Sequence, residues 1–506
     1  MLLIHPPVAK PCEPPAGIAR LSGALRHHGI KHTVLDANIE GLLYLLHNPQ
    51  AAPSGTWSKR AVRNMPQNLA ALRDPRTYRT FDRYKRAVLD VNRALASSTA
   101  PDITVSLSNY QHARLSPLRS VDLLSAAAEH KENPFYPYFQ QRLAPLVAEK
   151  CPSMVGISLN YLSQALCAFA MAGFLKKAFP SIKLILGGGL VTSWLRRPGW
   201  RSPFGGLFDN IVAGPGEDYL LSLAGAEGLR ERHYTPSYDS LPLRDYLSPG
   251  LILPYSGSSG CSWSKCSFCP EKAEGSPYNQ VPARRMTEDC AALVTKTGPV
   301  LLHLLDNEVS TAHMRALIKN PPGVAWYGFA RITRELAEHD FCAALKKSGC
   351  VMLKLGLESG DQCVLDKLDK GIELSTAAAA LHELKEAGIA TYIYLLFGTP
   401  AETEAAARET LAFTAEHCDS IDYLNLALFN MPVCGHEAQD YATSVFYEGD
   451  LSLYTDFAHP KGWDRKLVRA FLENEFKRHP AIATILQRDP PLFTSNHAPL
   501  FPLYAD

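Results

Sequence analysis

Three cysteines stand close together in the stretch GCSWSKCSFCPEK, residues 260–272: Cys261, Cys266 and Cys269. Thiolates are soft ligands, so this set suits zinc or an iron–sulfur cluster. A closed structural site wants four ligands, and only three are local here. A zinc site would have to draw its fourth from His303 or Asp306. A disulfide reading fails on the odd count and on the reducing compartment expected below. The remaining arrangement is a four-iron cluster with one iron left open to a small molecule. An open position is what a catalytic metal centre keeps and a structural one closes.

The loop follows the apolar run LILPYSG, the first of six predicted strands; the others are VLLHLLD, AWYGFAR, VMLKLGLES, TYIYLLFG and DYLNLALF. Helical segments such as STAAAALHELKEAG lie between them. Six β/α units over 236–430 predict a partial barrel, whose ligand residues belong on loops at the carboxyl ends of strands. Residues 431–506, with aromatics, prolines and histidines, read as a cap on that barrel. Within it Ser495, Asn496 and His497 suit a polar contact inside a lid, though a surface loop or a satisfied core histidine is the favoured reading.

Residues 1–235 read as an open α/β domain. MLLIHPP and HTVLDAN are strands flanking the helix GIARLSGALRHHG, which predicts a parallel sheet. The sheet resumes at SMVGISLNY, KLILGGGL and FDNIVAGPGE, after a helical insertion at about 45–145. Glycine turns at Gly187, Gly188 and Gly189 and at Gly214 and Gly216 follow strands, where backbone can approach a ligand closely. YDSLPLRDYLSPG reads as a proline-marked linker between the two α/β series.

The chain has 506 residues, 46% hydrophobic and 20% charged, with net charge +1. That composition permits a substantial core, and no basic stripe with interleaved aromatics suggests a nucleic-acid surface. The N-terminus lacks the pattern of a signal peptide, and no apolar run approaches the roughly 20 residues of a membrane span, which predicts a cytosolic protein. Cys151, Cys167, Cys290, Cys342, Cys350, Cys363 and Cys418 lie in apolar or helical contexts and read as small buried hydrophobes.

The cysteine stretch resembles the cluster loop of the radical S-adenosylmethionine (radical SAM) superfamily, whose usual spacing is Cys-x3-Cys-x2-Cys. Here it is Cys-x4-Cys-x2-Cys, with Phe268 before the last cysteine as the family's usual aromatic. LHLLDNEVS is similar to the second-strand segment of that class, which implies that Asp306 and Asn307 lie near the methionine amino group. Arg331 in YGFARIT matches the third-strand arginine, KLGLESGDQCVLDKLDKG resembles the fourth-strand segment with Glu358 facing S-adenosylmethionine, and LLFGTPAET matches a later turn with Gly398.

The first 45 residues resemble the start of the cobalamin-binding domain found before many radical SAM cores. Ser158 and Asn160 of SLNY, the GGGLVTS turn, and GPGE with Glu217 fall where that family's corrinoid-facing loops occur. Asp36, Asn38 and Gly41 echo the D-x-H-x-x-G signature of corrinoid methyltransferases, but follow the second strand and carry Asn38 for the histidine. The resemblance therefore implies a corrinoid whose lower face lacks a histidine ligand.

Taken together, the resemblance implies a Rossmann-like cobalamin-binding domain, a partial (β/α)6 radical SAM barrel and a cap, with [4Fe–4S], S-adenosylmethionine and cobalamin as cofactors. Cys261, Cys266 and Cys269 would hold the cluster. Reductive cleavage would give a 5′-deoxyadenosyl radical that takes a hydrogen atom from an unactivated carbon, and methylcobalamin would supply a methyl group. The implied partners are an electron donor such as flavodoxin or ferredoxin and a small-molecule or peptide substrate, with no membrane. No residue is assigned as a catalytic acid, base or nucleophile. The same parts also fit a rearrangement, cyclisation or redox step without methyl transfer, or a non-catalytic corrinoid or iron–sulfur carrier.

Overall fold

The computed structural model describes residues 1–49, 55–226, 233–445, 448–491 and 494–505, with side chains of 494–495 left out. The chain divides into two compact units with the main boundary between Leu251 and Ile252; of the later described residues, 448–453 and 491 belong to the first unit.

The first unit opens with β1 (Leu2–His5), α1 (Ala16–His27), β2 (Thr33–Asp36) and α2 (Ala37–His47). The insertion follows as α3 (Thr56–Arg63), α4 (Met65–Leu72), α5 (Phe81–Ala96), β3 (Ile103–Val105), β4 (Tyr110–His112), α6 (Ser120–Ala128), α7 (Tyr136–Tyr138) and α8 (Ala144–Lys150). It is thus not wholly helical. Ile103 and Val105 are buried along one strand, and the turn closes by the Ser106 N–H donating to the Asn109 carbonyl at 2.9 Å, which makes β3 and β4 a hairpin. The sheet then continues with β5 (Met154–Ser158), α9 (Leu162–Ala178), β6 (Lys183–Gly187), α10 (Gly189–Leu195), β7 (Asn210–Ile211) and α11 (Glu217–Leu223). Its order is β2-β1-β5-β6-β7, every pair parallel. Chain order reverses between β1 and β5, so the strand ends there form the crevice that open α/β sheets use for ligands.

Helix α9 is apolar nearly all round and lies buried through most of its length, as a helix sandwiched by neighbours must be. Insertion helix α6 crosses it at Gly173, where an added Cβ would stand 1.9 Å from the Ala127 carbonyl oxygen. The segment read as a linker is instead a packed strap. Tyr238 and Leu247 are each 1% exposed, the Tyr246 hydroxyl donates to Asp36 at 2.7 Å, and the Leu247 N–H donates to the Pro11 carbonyl at 2.8 Å. Its aromatic and leucine residues bury apolar area, so the division between units falls after it.

The second unit contains β8 (Ile252–Tyr255), β9 (Ser258–Ser259), α12 (Pro270–Ala273), β10 (Asn279–Gln280), α13 (Ala283–Thr297), β11 (Leu301–Leu304), α14 (Thr311–Lys319), β12 (Ala325–Ala330), α15 (His339–Lys347), β13 (Cys350–Glu358), α16 (Gln362–Lys367), α17 (Leu374–Glu386), β14 (Ala390–Phe397), α18 (Glu404–Glu416) and β15 (Tyr423–Leu428). The six strands predicted from apolar runs form one parallel sheet in the order β15-β14-β13-β12-β11-β8. Each run is nearly continuous because helices cover one face and the barrel interior the other. Of the scattered cysteines, Cys167, Cys290, Cys342 and Cys350 are buried as expected, whereas Cys151 and Cys363 are exposed and Cys418 is half-buried. Each of those three lies at or near a helix end, where the covered face gives out. No helix among the described residues is long and apolar enough to cross a membrane.

The C-terminal part adds β16 (Met431–Pro432), α19 (Glu437–Asp440), β17 (Thr443–Ser444), β18 (Tyr454–Phe457), α20 (Arg465–Asn474), α21 (Pro480–Leu486), α22 (Thr494–His497) and α23 (Leu500–Tyr504). Residues 459–463 are tied to the turn after β14. His459 Nε2 bonds the Thr399 carbonyl at 2.8 Å, and the Trp463 indole N–H donates to Glu402 at 2.9 Å. His497 is fully buried and Asn496 nearly so, which fits core packing; the Ser495 side chain lies outside the described residues.

Two stability measurements follow. Gly173→Ala raises helix propensity by about 1 kcal/mol yet meets backbone, so it should destabilise by on the order of 2 kcal/mol in thermal or denaturant unfolding. Burial pushes the Glu402 carboxyl from 4.5 up to about 7, against the Gly398 N–H and Trp463 indole that favour its charged form. A raised carboxyl favours folding fully below its unfolded value and loses that advantage as pH rises through the folded one. The wild-type protein should therefore lose on the order of 3 kcal/mol relative to Glu402→Gln between about pH 4 and pH 8. Parallel pH–Tm curves for the two proteins would contradict this.

Candidate functional site

In the first unit the glycine turns and the SLNY segment meet at the carboxyl ends of β5, β6 and β7. Gly188 takes a left-handed φ of 116°, and a Cβ on it would lie 2.3 Å from the Leu159 carbonyl oxygen, so only glycine fits. The Leu159 N–H donates to the Gly187 carbonyl at 2.7 Å. Asn160 joins the loops: its Oδ1 accepts from the Gly189 N–H at 3.0 Å while its Nδ2 donates to Ser158. Gly214 also has positive φ, with open space where a Cβ would stand, and its N–H donates to Thr192 Oγ1 at 2.9 Å. Next to half-buried Gly216, Glu217 is occupied by Arg20 at 2.8 Å.

Two residues of this region are not evident from sequence. Gln164, fully buried in the first turn of α9, accepts from the Asn160 and Tyr161 N–H groups and donates to the Pro6 carbonyl at 2.7 Å, so it locks the β1 and β5 loops together. A capping residue three positions into a helix is the signal that marks it. His5 ends β1 at the switch point, 6% exposed, and its Nδ1 has no hydrogen-bond partner among the described residues. Burial lowers its pKa and the Asp36 carboxylate beside it raises it in part. Asn38 is committed elsewhere: its side chain accepts from the Ala9 N–H and donates to the Ala9 carbonyl, which secures the loop after β1.

In the second unit the cysteine loop leaves β8 and is bracketed by the antiparallel pair β9–β10. Asp306, 2% exposed at the end of β11, accepts from the Gly257 N–H at 3.0 Å and the Ser258 hydroxyl at 2.5 Å. It thereby braces the base of the loop, and burial pushes its carboxyl up. Asn307 is exposed beside it. Gly260 has φ 73°, and its Cβ would meet the Pro277 carbonyl oxygen at 2.5 Å.

Cys266 is 9% exposed, while Cys261 and Cys269 are half-buried. The Cys261 thiol donates to Glu308 at 3.6 Å, and the Ser262 hydroxyl donates to the same carboxylate at 3.1 Å. Sequence reading passed over Glu308, although it directly follows Asn307. Cys269 occupies the N-cap position of short helix α12. Burial raises both the Cys266 and Cys269 thiols; Lys370 and Arg331 pull Cys266 back, and the Lys272 and Glu271 N–H groups do so for Cys269. The three free thiols lie in mutual electrostatic reach, Cys269 of Cys261 and Cys266 of Cys269, with cations beside them. That donor set fits a thiolate-held cluster in its chemistry. Among the described residues no three His, Cys, Asp or Glu side chains are gathered at metal-holding geometry. His303, the alternative zinc ligand, stacks flat on Tyr327 with ring centroids 4.3 Å apart.

Opposite the loop, Glu358 ends β13 with φ 69°, a conformation an L residue adopts only under constraint. A register shift between Gly356 and Glu358 in the β13–β14 pairing produces it. Its carboxylate pairs with Lys370 at 2.9 Å, both side chains largely buried. Gly356 leaves the room: a Cβ there would stand 2.7 Å from Glu358 Oε1. Lys370 also lies over the Phe268 ring at 5.5 Å, and Phe268 packs on Val364, Leu368 and Ala406. Gly398, with φ 78°, donates its N–H to Glu402 at the end of β14. The strand ends thus bring Cys266, Phe268, Arg331, Glu358 and Lys370 together, with Asp306 at the loop's base.

The sequence profile of the Radical SAM superfamily matches residues 255–414. An uncharacterized methyltransferase of Pyrococcus horikoshii is 26% identical over 41% of this chain and 46% of its own length. The anaerobic magnesium-protoporphyrin IX monomethyl ester cyclase of Rubrivivax gelatinosus is 28% identical over 30% of this chain and 28% of its own. The matches therefore span less than half the length of these curated relatives. Among solved structures, the radical S-adenosylmethionine methyltransferase TsrM from Kitasatospora setae, with cobalamin and a [4Fe–4S] cluster bound, aligns over 85% of this chain and 75% of its own at TM-score 0.50 and 16% identity. The cobalamin-dependent S-adenosylmethionine radical enzyme OxsB, with aqua-cobalamin bound, aligns over 84% of this chain and 52% of its own at TM-score 0.52 and 13% identity. Residues 255–414, which hold the thiol-bearing loop after the first of six parallel strands, match the Radical SAM superfamily, and the fold of the chain is similar to those of TsrM and OxsB.

Proposed function

We propose that this chain is a cobalamin-dependent radical SAM enzyme that methylates an unactivated carbon. The observation that carries the reading is the loop of three free thiols at the carboxyl end of β8, with Arg331, Glu358 and Lys370 facing it from β12, β13 and the turn after α16. When bound, a [4Fe–4S] cluster would supply the electron that splits S-adenosylmethionine into methionine and a 5′-deoxyadenosyl radical, and a corrinoid the methyl group. Cys261, Cys266 and Cys269 would hold the cluster. Glu358, fixed by Lys370, offers one charged carboxylate at the mouth for the nucleoside end of S-adenosylmethionine. Gly187–Gly189, Gly214 and Ser158 form the backbone-lined shelf for the corrinoid, and the unpartnered Nδ1 of His5 supplies a buried polar atom at the switch point. An electron donor such as flavodoxin or ferredoxin would complete the system.

The cyclase relatives favour a second reading, in which the same cofactors carry out a ring closure or redox step without methyl transfer. Product mass separates the two, since methylation adds one methylene unit.

The test is anaerobic reconstitution with iron, sulfide and hydroxocobalamin, followed by absorbance spectra, metal counts and reduction in the presence of S-adenosylmethionine. The expected result is four irons and one corrinoid per chain and release of 5′-deoxyadenosine. Cys261→Ala, Cys266→Ala and Cys269→Ala should each abolish that release. Retained release in Cys261→Ala would remove the ligand assignment, and absence of bound corrinoid would remove the role of the first unit.

A further inference from the structure

The segment between Cys261 and Cys266 holds four residues, Ser262 to Lys265, where the family spacing has three. We propose that Trp263 in this segment is a positioning residue, which pins the lengthened loop to the turn after α16 and fixes the Arg331 cation beside Cys266. This rests on the reading that the loop holds a cluster.

Four contacts converge on the indole. Its N–H donates to the Asp369 carbonyl at 2.7 Å. The Arg331 guanidinium lies over the ring, 4.0 Å from the centroid, and the Lys265 ammonium lies 4.7 Å from it. Cations attract the negative face of an aromatic ring, most strongly for tryptophan. Beneath it is Gly371, with φ 60°, where a Cβ would stand 2.3 Å from the ring. Arg331 itself donates to the carbonyls of Lys370 and Gly371 and lies within electrostatic reach of the Cys266 thiol. Indole, guanidinium and the carbonyls of residues 369–371 therefore form one closed set, and moving any member releases the other two.

Backbone geometry agrees with this use of the longer segment. Ser264 adopts φ 41°, a left-handed residue that reverses the chain directly after Trp263. Asp369, which accepts the indole N–H, has φ 51°. One non-glycine residue of positive φ thus follows the indole in sequence and another accepts its N–H, and such strain persists where surrounding contacts hold it. On the far side, the Ser267 N–H donates to the Leu368 carbonyl at 3.0 Å, so the loop is stitched to the same turn at a second point.

The chemical consequence follows from charge. A cation held beside a cluster thiolate favours the more negative, reduced cluster and raises its reduction potential. An Arg331 freed from the indole would no longer be held there.

The test compares anaerobically reconstituted full-length wild type with Trp263→Ala, Trp263→Phe and Gly371→Ala. Iron and sulfide counts, the electron paramagnetic resonance spectrum of the reduced cluster and its midpoint potential are read for each. Trp263→Ala and Gly371→Ala should share a shift to more negative potential and the same altered spectrum at full iron content. Trp263→Phe, which keeps a ring under Arg331, should stay near wild type. Loss of loading in the first two with normal loading of Trp263→Phe would support the same role. Wild-type potential and spectrum in both would overturn it. If the wild type itself takes up no cluster, the functional reading fails, and the contact is read in the apo chain. There the emission of Trp263, taken as wild type minus Trp263→Phe, should shift in Gly371→Ala, and an unchanged emission would overturn the contact.

Discussion

A loop that carries three thiols without a fourth ligand needs walls supplied by neighbouring strands. In this protein the walls are backbone hydrogen bonds and one buried carboxylate. Asp306 holds the loop's first residues through Gly257 and Ser258, and the turn at 368–371 holds its middle through Ser267 and Trp263. Parallel strands make this feasible, because each sends its following loop to the same edge of the sheet. The order β8, β11, β12, β13 places Asp306, Arg331 and Glu358 in successive positions around that edge.

Charge at the edge is arranged in pairs. Glu358 and Lys370 are both largely buried, and a lone charge in either place would be costly to desolvate. Pairing lets both stay at the mouth, and the register shift at Gly356 turns the carboxylate toward its partner despite an unfavourable backbone angle. Arg331 is engaged by ring and carbonyls alike, so its position is set by several weak contacts instead of one strong one. The first unit solves a similar problem with neutral groups. Asn160 and Gln164 satisfy loop N–H groups that would otherwise be stranded at the strand ends beside the glycine turn.

Much of this was legible in the chain itself. All six barrel strands were readable because a strand covered on both faces is apolar throughout, and its length separates it from helix. The glycine turns were readable because positive φ and close approach, as at Gly188, leave no other residue. The cysteine spacing was readable because three thiols within nine residues of one loop are already close together in the chain. What escaped were contacts without a period. The strap at 238–247 reads as a linker by its prolines, yet its tyrosines are buried. The β3–β4 hairpin is too short to stand out from the helices around it.

Sequence alone thus determined the order of elements, the sheet edge at which the glycine turns gather, and which thiols stand together. Tertiary structure decided what those groups touch. Trp263 meets Asp369, a residue 106 positions away, through a side-chain to backbone bond that imposes no pattern on intervening residues. The same holds for Asp306 at the base of the loop, 49 positions from Gly257. Local chemistry and periodicity are written residue by residue, whereas such distant pairings exist only once the parallel sheet has brought its strand ends to one edge.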